Sequence, residues 1–228
     1  MFEGVKDVFF DLDHTLWDFE LNSALTFQKI LVENEVTVEI ASFLEVYRPI
    51  NLAYWKVYRE NRISKEDLRY KRLKETFDAI GYKASDKLIH ILSERYIDDL
   101  STFGNLIPYA MQTLNYLAPK YNLHIITNGF KETQRSKMKN SNIDHFFDKI
   151  IDSETAGVKK PHPQIFETAL EHAKTSAKQS LMIGDNLEAD ILGAQALGMQ
   201  ALHFNFHNEP KHQLSRIINS LDEIKNLL

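Results

Sequence analysis

The 228-residue sequence contains no cysteine. That excludes a disulfide framework, a thiolate metal site and a cysteine nucleophile, and it fits a reducing compartment. No apolar run approaches the ~18 residues that a membrane-spanning helix needs. The opening residues Met-Phe-Glu-Gly-Val-Lys-Asp lack the basic start and apolar stretch of a secretion signal. The expectation is a cytoplasmic protein that works away from the membrane. Charge of one sign is not concentrated either. Lys and Arg number 27 against 32 Asp and Glu, a formal net charge of −5 with no long single-sign run. Neither a nucleic-acid polymer nor an anionic membrane surface is therefore expected as a partner. Nothing in the chain demands more than a monomer or a weak homodimer.

Hydrophobic residues make up 43% of the chain, enough to build a proper core. The length suits one compact domain with a smaller one inserted. Val5–Phe10 is short, apolar and rich in β-formers, and it stops at Asp11-Leu12-Asp13. From about Asn22 to Thr102 the texture changes to apolar residues at helical spacing, with many aromatics and Gly81 as the single glycine. About four helices are expected there, with turns near 34–38, 61–64 and 81–85. Ser64 with Asp67 makes a helix start, and Pro49 is expected to kink its helix or divide it in two.

After Pro108 strands and helices alternate. Apolar runs at Leu123–Ile126, Lys149–Asp152, Ser180–Ile183 and Gln200–Phe204 are separated by helical segments, and a last helix is expected over about Ser220–Leu227. Such alternation with short connections implies a parallel sheet covered on both faces, an α/β Rossmann-like core. The helical block then reads as a cap inserted after the first strand: residues 1–17 and 103–228 form the core, 18–102 the cap.

Several apolar runs end at their carboxyl side in residues capable of chemistry. Ligand crevices of open α/β sheets lie outside those ends. Asp11, Asp13, Thr127, Asn128 and Asp185 are expected to converge there. Carboxylates crowded into one small space repel unless a cation joins them, and an oxygen-rich set favours Mg²⁺.

Asp11-Leu12-Asp13-His14-Thr15, Ile126-Thr127-Asn128-Gly129, Lys160 before Pro161, and Gly184-Asp185-Asn186-Leu187-Glu188-Ala189-Asp190 stand in this order along the chain. Together they resemble the four motifs of the haloacid dehalogenase (HAD) superfamily. The helical insertion resembles that superfamily's first type of cap. The resemblance implies a Mg²⁺-dependent phosphatase with Asp11 as nucleophile and Asp13 as general acid–base. Thr127, Asn128 and Gly129 would bind the substrate phosphate, and Lys160 would face its oxygens. Asp11, Asp13 (through its carbonyl) and Asp185 would hold Mg²⁺, supported from behind by Asp190 and Asn186. Asp13 speaks against a haloacid dehalogenase, which needs no acid–base there. No motif residue is missing, which speaks against a catalytically silent binding protein.

The cap should select the leaving group. Pro49-Ile50-Asn51-Leu52-Ala53-Tyr54-Trp55 and Arg62 through Arg72 resemble the pyrimidine 5′-nucleotidase branch, which implies a nucleoside monophosphate as substrate. Asn51, Trp55, Arg69 and Arg72 are the cap candidates, although aromatics at helical spacing are more often cap core, and the arginines could be surface ion pairs. A sugar-phosphate phosphatase or phosphomutase on the same core remains the alternative. The nine histidines are scattered and show no HExxH pair, so His203 and His207 read as surface or core residues, not as a metal site. His14, inside the first motif, is expected to shape the entrance without proton chemistry.

Overall fold

The computed structural model describes residues 2–228, which divide into two compact units, residues 2–19 with 104–228 and residues 20–103.

The first unit is built on six parallel strands: β1 (Asp7–Phe10), β2 (Asn122–Thr127), β3 (Phe147–Asp152), β4 (Ser180–Gly184), β5 (Gln200–Phe204) and β6 (Arg216–Ile218). Their order in the sheet is β3-β2-β1-β4-β5-β6. All four residues of β1 are buried, as expected of a central strand covered on both faces. The chain runs outward from β1 through β2 to β3, then returns to the other side of β1 for β4. The strand order therefore reverses at β1, and the crevice of such a sheet opens at the carboxyl ends beside that point. One face packs Phe9, Ile126, Ile151 and Met182 against Ile165, Phe166, Ala169 and Ala194.

The second unit holds α1 (Phe19–Glu33, its first residue in the core unit), α2 (Ile40–Arg59), α3 (Lys65–Ala79) and α4 (Asp86–Leu100). Ser64 Oγ accepts the Asp67 N–H at 3.0 Å and starts α3. Pro49 lies inside α2, which continues unbroken past it. Phe27, Phe43, Tyr47, Phe77 and Tyr96 are buried in this unit, with Phe27 stacked on Tyr96 at 4.5 Å between ring centroids.

The core helices are α5 (Ala110–Leu117), α6 (Lys131–Asn140), α7 (Ser153–Ala156), α8 (Pro163–Ala173) and α9 (Gly193–Ala196). Three differences from the sequence reading stand out. β6 was not expected: three residues with an exposed Arg216 are too short to show a period. The stretch after Asn186 is a wide π-helical turn, Leu187–Leu192, before α9 begins, instead of one regular helix. The C-terminal segment Leu221–Asn226 is a 3₁₀-helix, started by a Ser220–Glu223 capping box. Among the described residues, no helix is long and apolar enough to cross a membrane.

Candidate active site

Asp11 follows β1 directly, and its N–H still donates to the Ile183 carbonyl at 2.9 Å, so the sheet ladder carries the residue to the crevice. Thr127 is the last residue of β2, and Asp185 is the first after β4. Lys160 comes from the loop between α7 and α8 and is 2% exposed. Its Nζ donates to Asp11 Oδ1 at 2.6 Å and to the Ile126 carbonyl at 2.7 Å, and lies 2.6 Å from Asp190 Oδ1. Two hydrogen bonds and one ion pair thus surround the ammonium group.

Asn128 fixes this lysine from its backbone. Its Nδ2 donates to the Lys160 carbonyl at 3.0 Å, and its Oδ1 accepts the Lys160 N–H at 2.7 Å. Thr127 Oγ1 accepts the Gly129 N–H at 3.0 Å. Asp190 Oδ2 accepts the Asn186 N–H at 3.0 Å, while Asn186 Oδ1 caps the following turn through the Ala189 N–H at 2.8 Å. A Cβ on Gly184 would collide with the Asp190 carboxylate, so glycine at this strand end leaves room for Asp190 to reach Lys160.

The charges do not balance. Asp11, Asp185 and Asp190 are all buried, and a donor oxygen of each lies within 4.8 Å of the others. One ammonium faces three carboxylates, leaving two negative charges over. Burial pushes the Asp11 carboxyl well above the ordinary carboxylate range; Lys160 pulls it back, but Asp190 and Asp185 push it up again. Asp190 is raised for the same reason, burial first, against the pull of Lys160. Burial alone would depress Lys160, but the Asp11 and Asp190 carboxylates outweigh it and hold the ammonium above its usual range. Asp185 is the exception: burial would raise it, but a hydrogen bond from His207 and the positive potential of His14 hold it below the usual carboxylate value. A hard divalent cation fits this donor set, since it would supply the two missing charges.

Asp13 is placed differently. Its Oδ1 accepts from Lys137 Nζ at 2.7 Å. Lys137 is 2% exposed on α6, and its ammonium lies 4.4 Å from the Trp17 ring centroid and 5.5 Å from that of Phe19. The sequence reading did not find Lys137, which sits among Lys131, Arg135 and Lys139. The available signal was its place on the helix: it shares the buried face of α6 with Thr133, Gln134 and Met138. A Lys137→Met change keeps the stem and removes the ammonium. On the acid–base role that the motif resemblance implies for Asp13, kcat is expected to fall by roughly 10²-fold with KM little changed. A kcat within about threefold of the parent would show that Lys137 does not position Asp13 for turnover.

Thr15 was also missed: its hydroxyl donates to Asp185 Oδ1 at 3.1 Å. Two of the nine histidines meet Asp185, and one of them, His203, is the core residue that the sequence reading allowed. His207 Nε2 lies 3.1 Å from Asp185 Oδ2, and His203 Nε2 lies 2.9 Å from the Asp185 carbonyl. Sequence spacing could not show this, because His14, Asp185 and His207 meet only through the folded sheet.

In the helical unit, Asn51 and Arg72 are engaged with each other. Arg72 Nη1 donates to Asn51 Oδ1 at 2.9 Å, and both residues are buried. The guanidinium lies 4.9 Å from the Tyr96 ring centroid. Of the cap candidates, Asn51 and Arg72 thus form an interior network of this unit, whereas Trp55 and Arg69 are only half-buried. The Trp55 ring meets Tyr58 edge-on at 5.6 Å.

Known proteins resemble this chain over most of its length. The chain is 28% identical to the pyrimidine 5′-nucleotidase YjjG of Escherichia coli, over 97% of this chain and 96% of that protein. It is 32% identical to a glyceraldehyde 3-phosphate phosphatase of Pyrococcus abyssi, over 89% and 82%. The crystal structure of the HAD-hydrolase YfnB from Bacillus subtilis bound to magnesium superposes with a TM-score of 0.87 at 27% identity, covering 98% of each chain. The family model for haloacid dehalogenase-like hydrolases matches residues 8–204; with its strand order, its carboxylate–lysine cluster and its phosphatase relatives, the chain belongs to that family as a phosphomonoester hydrolase.

Proposed function

We propose that this phosphatase is Mg²⁺-dependent, passes the phosphoryl group through an aspartyl phosphate on Asp11, and acts on pyrimidine nucleoside 5′-monophosphates. The observation that carries the first part is the buried cluster of three carboxylates around one lysine. Lys160 holds Asp11 Oδ1, which orients the carboxylate and leaves Oδ2 for attack on phosphorus. The Oδ2–P bond forms as the bond from phosphorus to the leaving oxygen breaks, and Asp13 gives that oxygen its proton. Asp13 then takes a proton from water as the water oxygen attacks phosphorus. The Oδ2–P bond breaks, which restores Asp11 and releases phosphate. Lys160 and the Thr127 hydroxyl would face the phosphoryl oxygens, helped by N–H groups near Asn128 and Gly129. Asp190 and Asn186 hold Lys160 and the turn behind it. Asp11, Asp185 and the Asp13 carbonyl would hold Mg²⁺, which supplies charge neutralisation between the carboxylates and the phosphoryl group.

Chelation is expected to abolish phosphate release, and Mg²⁺ to restore it. A second readout is thermal unfolding. Mg²⁺ at about 100 times its Kd should add about 2.7 kcal/mol of stability, and Asp185→Asn should remove most of that gain. An unchanged melting curve with Mg²⁺ present would refute the metal assignment.

The base preference rests on likeness to the nucleotidase relative and on the cap segment Pro49–Trp55. Phosphate release from UMP, dUMP, dTMP, AMP, GMP and glyceraldehyde 3-phosphate tests it. Pyrimidine nucleotides are expected to lead in kcat/KM by at least about tenfold. Preference for the triose phosphate would overturn the nucleotidase reading and leave the phosphatase standing.

A further inference from the structure

A second group of possible metal donors lies beside the first. His14, Asp185 and His207 each offer a ligand atom, and these atoms all lie within 4.8 Å of one another. The group differs from the carboxylate cluster in kind. Two of its three donors are imidazole nitrogens, which suit Zn²⁺, Co²⁺ or Ni²⁺ far better than Mg²⁺.

The surroundings hold these donors in place. His14 has φ +64°, a left-handed conformation that few residues other than glycine adopt. Its ring packs at 5.0 Å from Phe19, 5.2 Å from Phe206 and 5.0 Å from His207. Asp185 is buried, with Oδ1 taken by the Thr15 hydroxyl and Oδ2 turned to His207. Behind it runs a chain of imidazoles whose tautomers follow from the acceptors. His203 Nε2 faces the Asp185 carbonyl at 2.9 Å, so that nitrogen carries the hydrogen. With neutral His203, Nδ1 then accepts from His212 Nε2 at 2.8 Å, and His212 Nδ1 accepts the Leu214 N–H at 3.3 Å. Partners of this sort orient metal ligands from behind.

We propose that His14, Asp185 and His207 form a binding site for a nitrogen-preferring divalent cation of the Zn²⁺ class, which shares Asp185 with the Mg²⁺ donor set and adds two imidazole nitrogens to it. Bonds of about 2.0–2.2 Å to N and O ligands place tetrahedral donors roughly 3.4 Å apart. Asp185 Oδ2 and His207 Nε2, at 3.1 Å, already stand that close, so any drawing-in falls between this pair and His14, whose donor lies within 4.8 Å of both. His207, whose side chain is 28% exposed, has the freedom to follow. The fourth position is left for water. His207 moves its hydrogen to Nδ1 when Nε2 takes the metal.

The test is direct binding to the tag-free full chain, with neither Mg²⁺ nor substrate present, so its outcome is separate from that of the phosphatase reading. One equivalent of Zn²⁺ is added, and X-ray absorption at the zinc edge reads the ligands. Scattering from two imidazoles is expected, and an oxygen-only shell would overturn the site. His14→Ala and His207→Ala are each expected to weaken Zn²⁺ by at least about tenfold, while Asp11→Asn leaves it bound. The proposal fails if Zn²⁺ affinity survives both histidine changes. It fails equally if only Asp11→Asn releases the metal.

Discussion

Asp11→Asn is expected to lower phosphate release by a factor on the order of 10⁴ or more, with the protein at least as stable as its parent. The two halves of this expectation share one cause. Asp11 sits in a buried site that already holds too much negative charge, and its carboxyl is raised well above its ordinary range by burial, Asp190 and Asp185. An amide removes one of those charges, keeps the volume and still accepts the hydrogen bond from Lys160. It cannot attack phosphorus as a carboxylate does. Phosphate release and thermal unfolding, both measured without added cation, check the two halves. Activity within about tenfold of the parent would remove Asp11 from the reaction. A marked loss of stability would mean that the cluster is not under the repulsion its charges imply.

Lys160→Met is expected to act in the opposite direction on stability. It deletes the ammonium that Asp11 and Asp190 share, each at 2.6 Å, and leaves both carboxylates buried without a counter-ion. Breaking a buried pair in this way costs about 3–5 kcal/mol, and activity should be lost with it. The pH dependence carries a sign. Asp11 and Asp190 already have folded pKa values raised above those of the unfolded chain, and without Lys160 they rise further. A group of this kind supports the fold when protonated and loses that support as pH rises through its folded pKa. The penalty of Lys160→Met should therefore be larger near pH 8 than near pH 5. Denaturant unfolding at the two pH values, free of divalent cations, measures it. An equal penalty at both would show that the lysine's role is packing and not charge.

Removing charge at Asp11 and removing charge at Lys160 thus have opposite expected effects on stability, although both abolish turnover. A site assembled only for stability would not hold three carboxylates around one ammonium. The proposed cation and the phosphoryl group would account for the excess.

The fold class was legible because the sheet is parallel and central. Buried strands such as Asp7–Phe10 and Ser180–Gly184 read as short apolar runs, and each ends where charge begins. β6 escaped because three residues at a sheet edge carry no period. The π-helical turn after Asn186 escaped because local propensity does not distinguish it from a regular helix. Lys137 looked like one more solvated lysine in a polar helix. Its burial depends on Trp17 and Phe19, more than a hundred residues earlier in the chain.

What the sequence determined by itself is the order of apolar runs and the polar residues at their ends. Those features follow from local rules: a period of two or an unbroken apolar run for strands, a period of 3.6 for helices, and charge where burial stops. What only the tertiary structure decided is which polar groups become partners. Lys160 on Asp11 and Asp190, Lys137 on Asp13, and His207 with Thr15 on Asp185 are pairings between distant segments. They exist because the parallel strands deliver separate segments to one end of the sheet. Burial there makes each uncompensated charge expensive, and the nearest opposite charge answers it, wherever in the chain it lies.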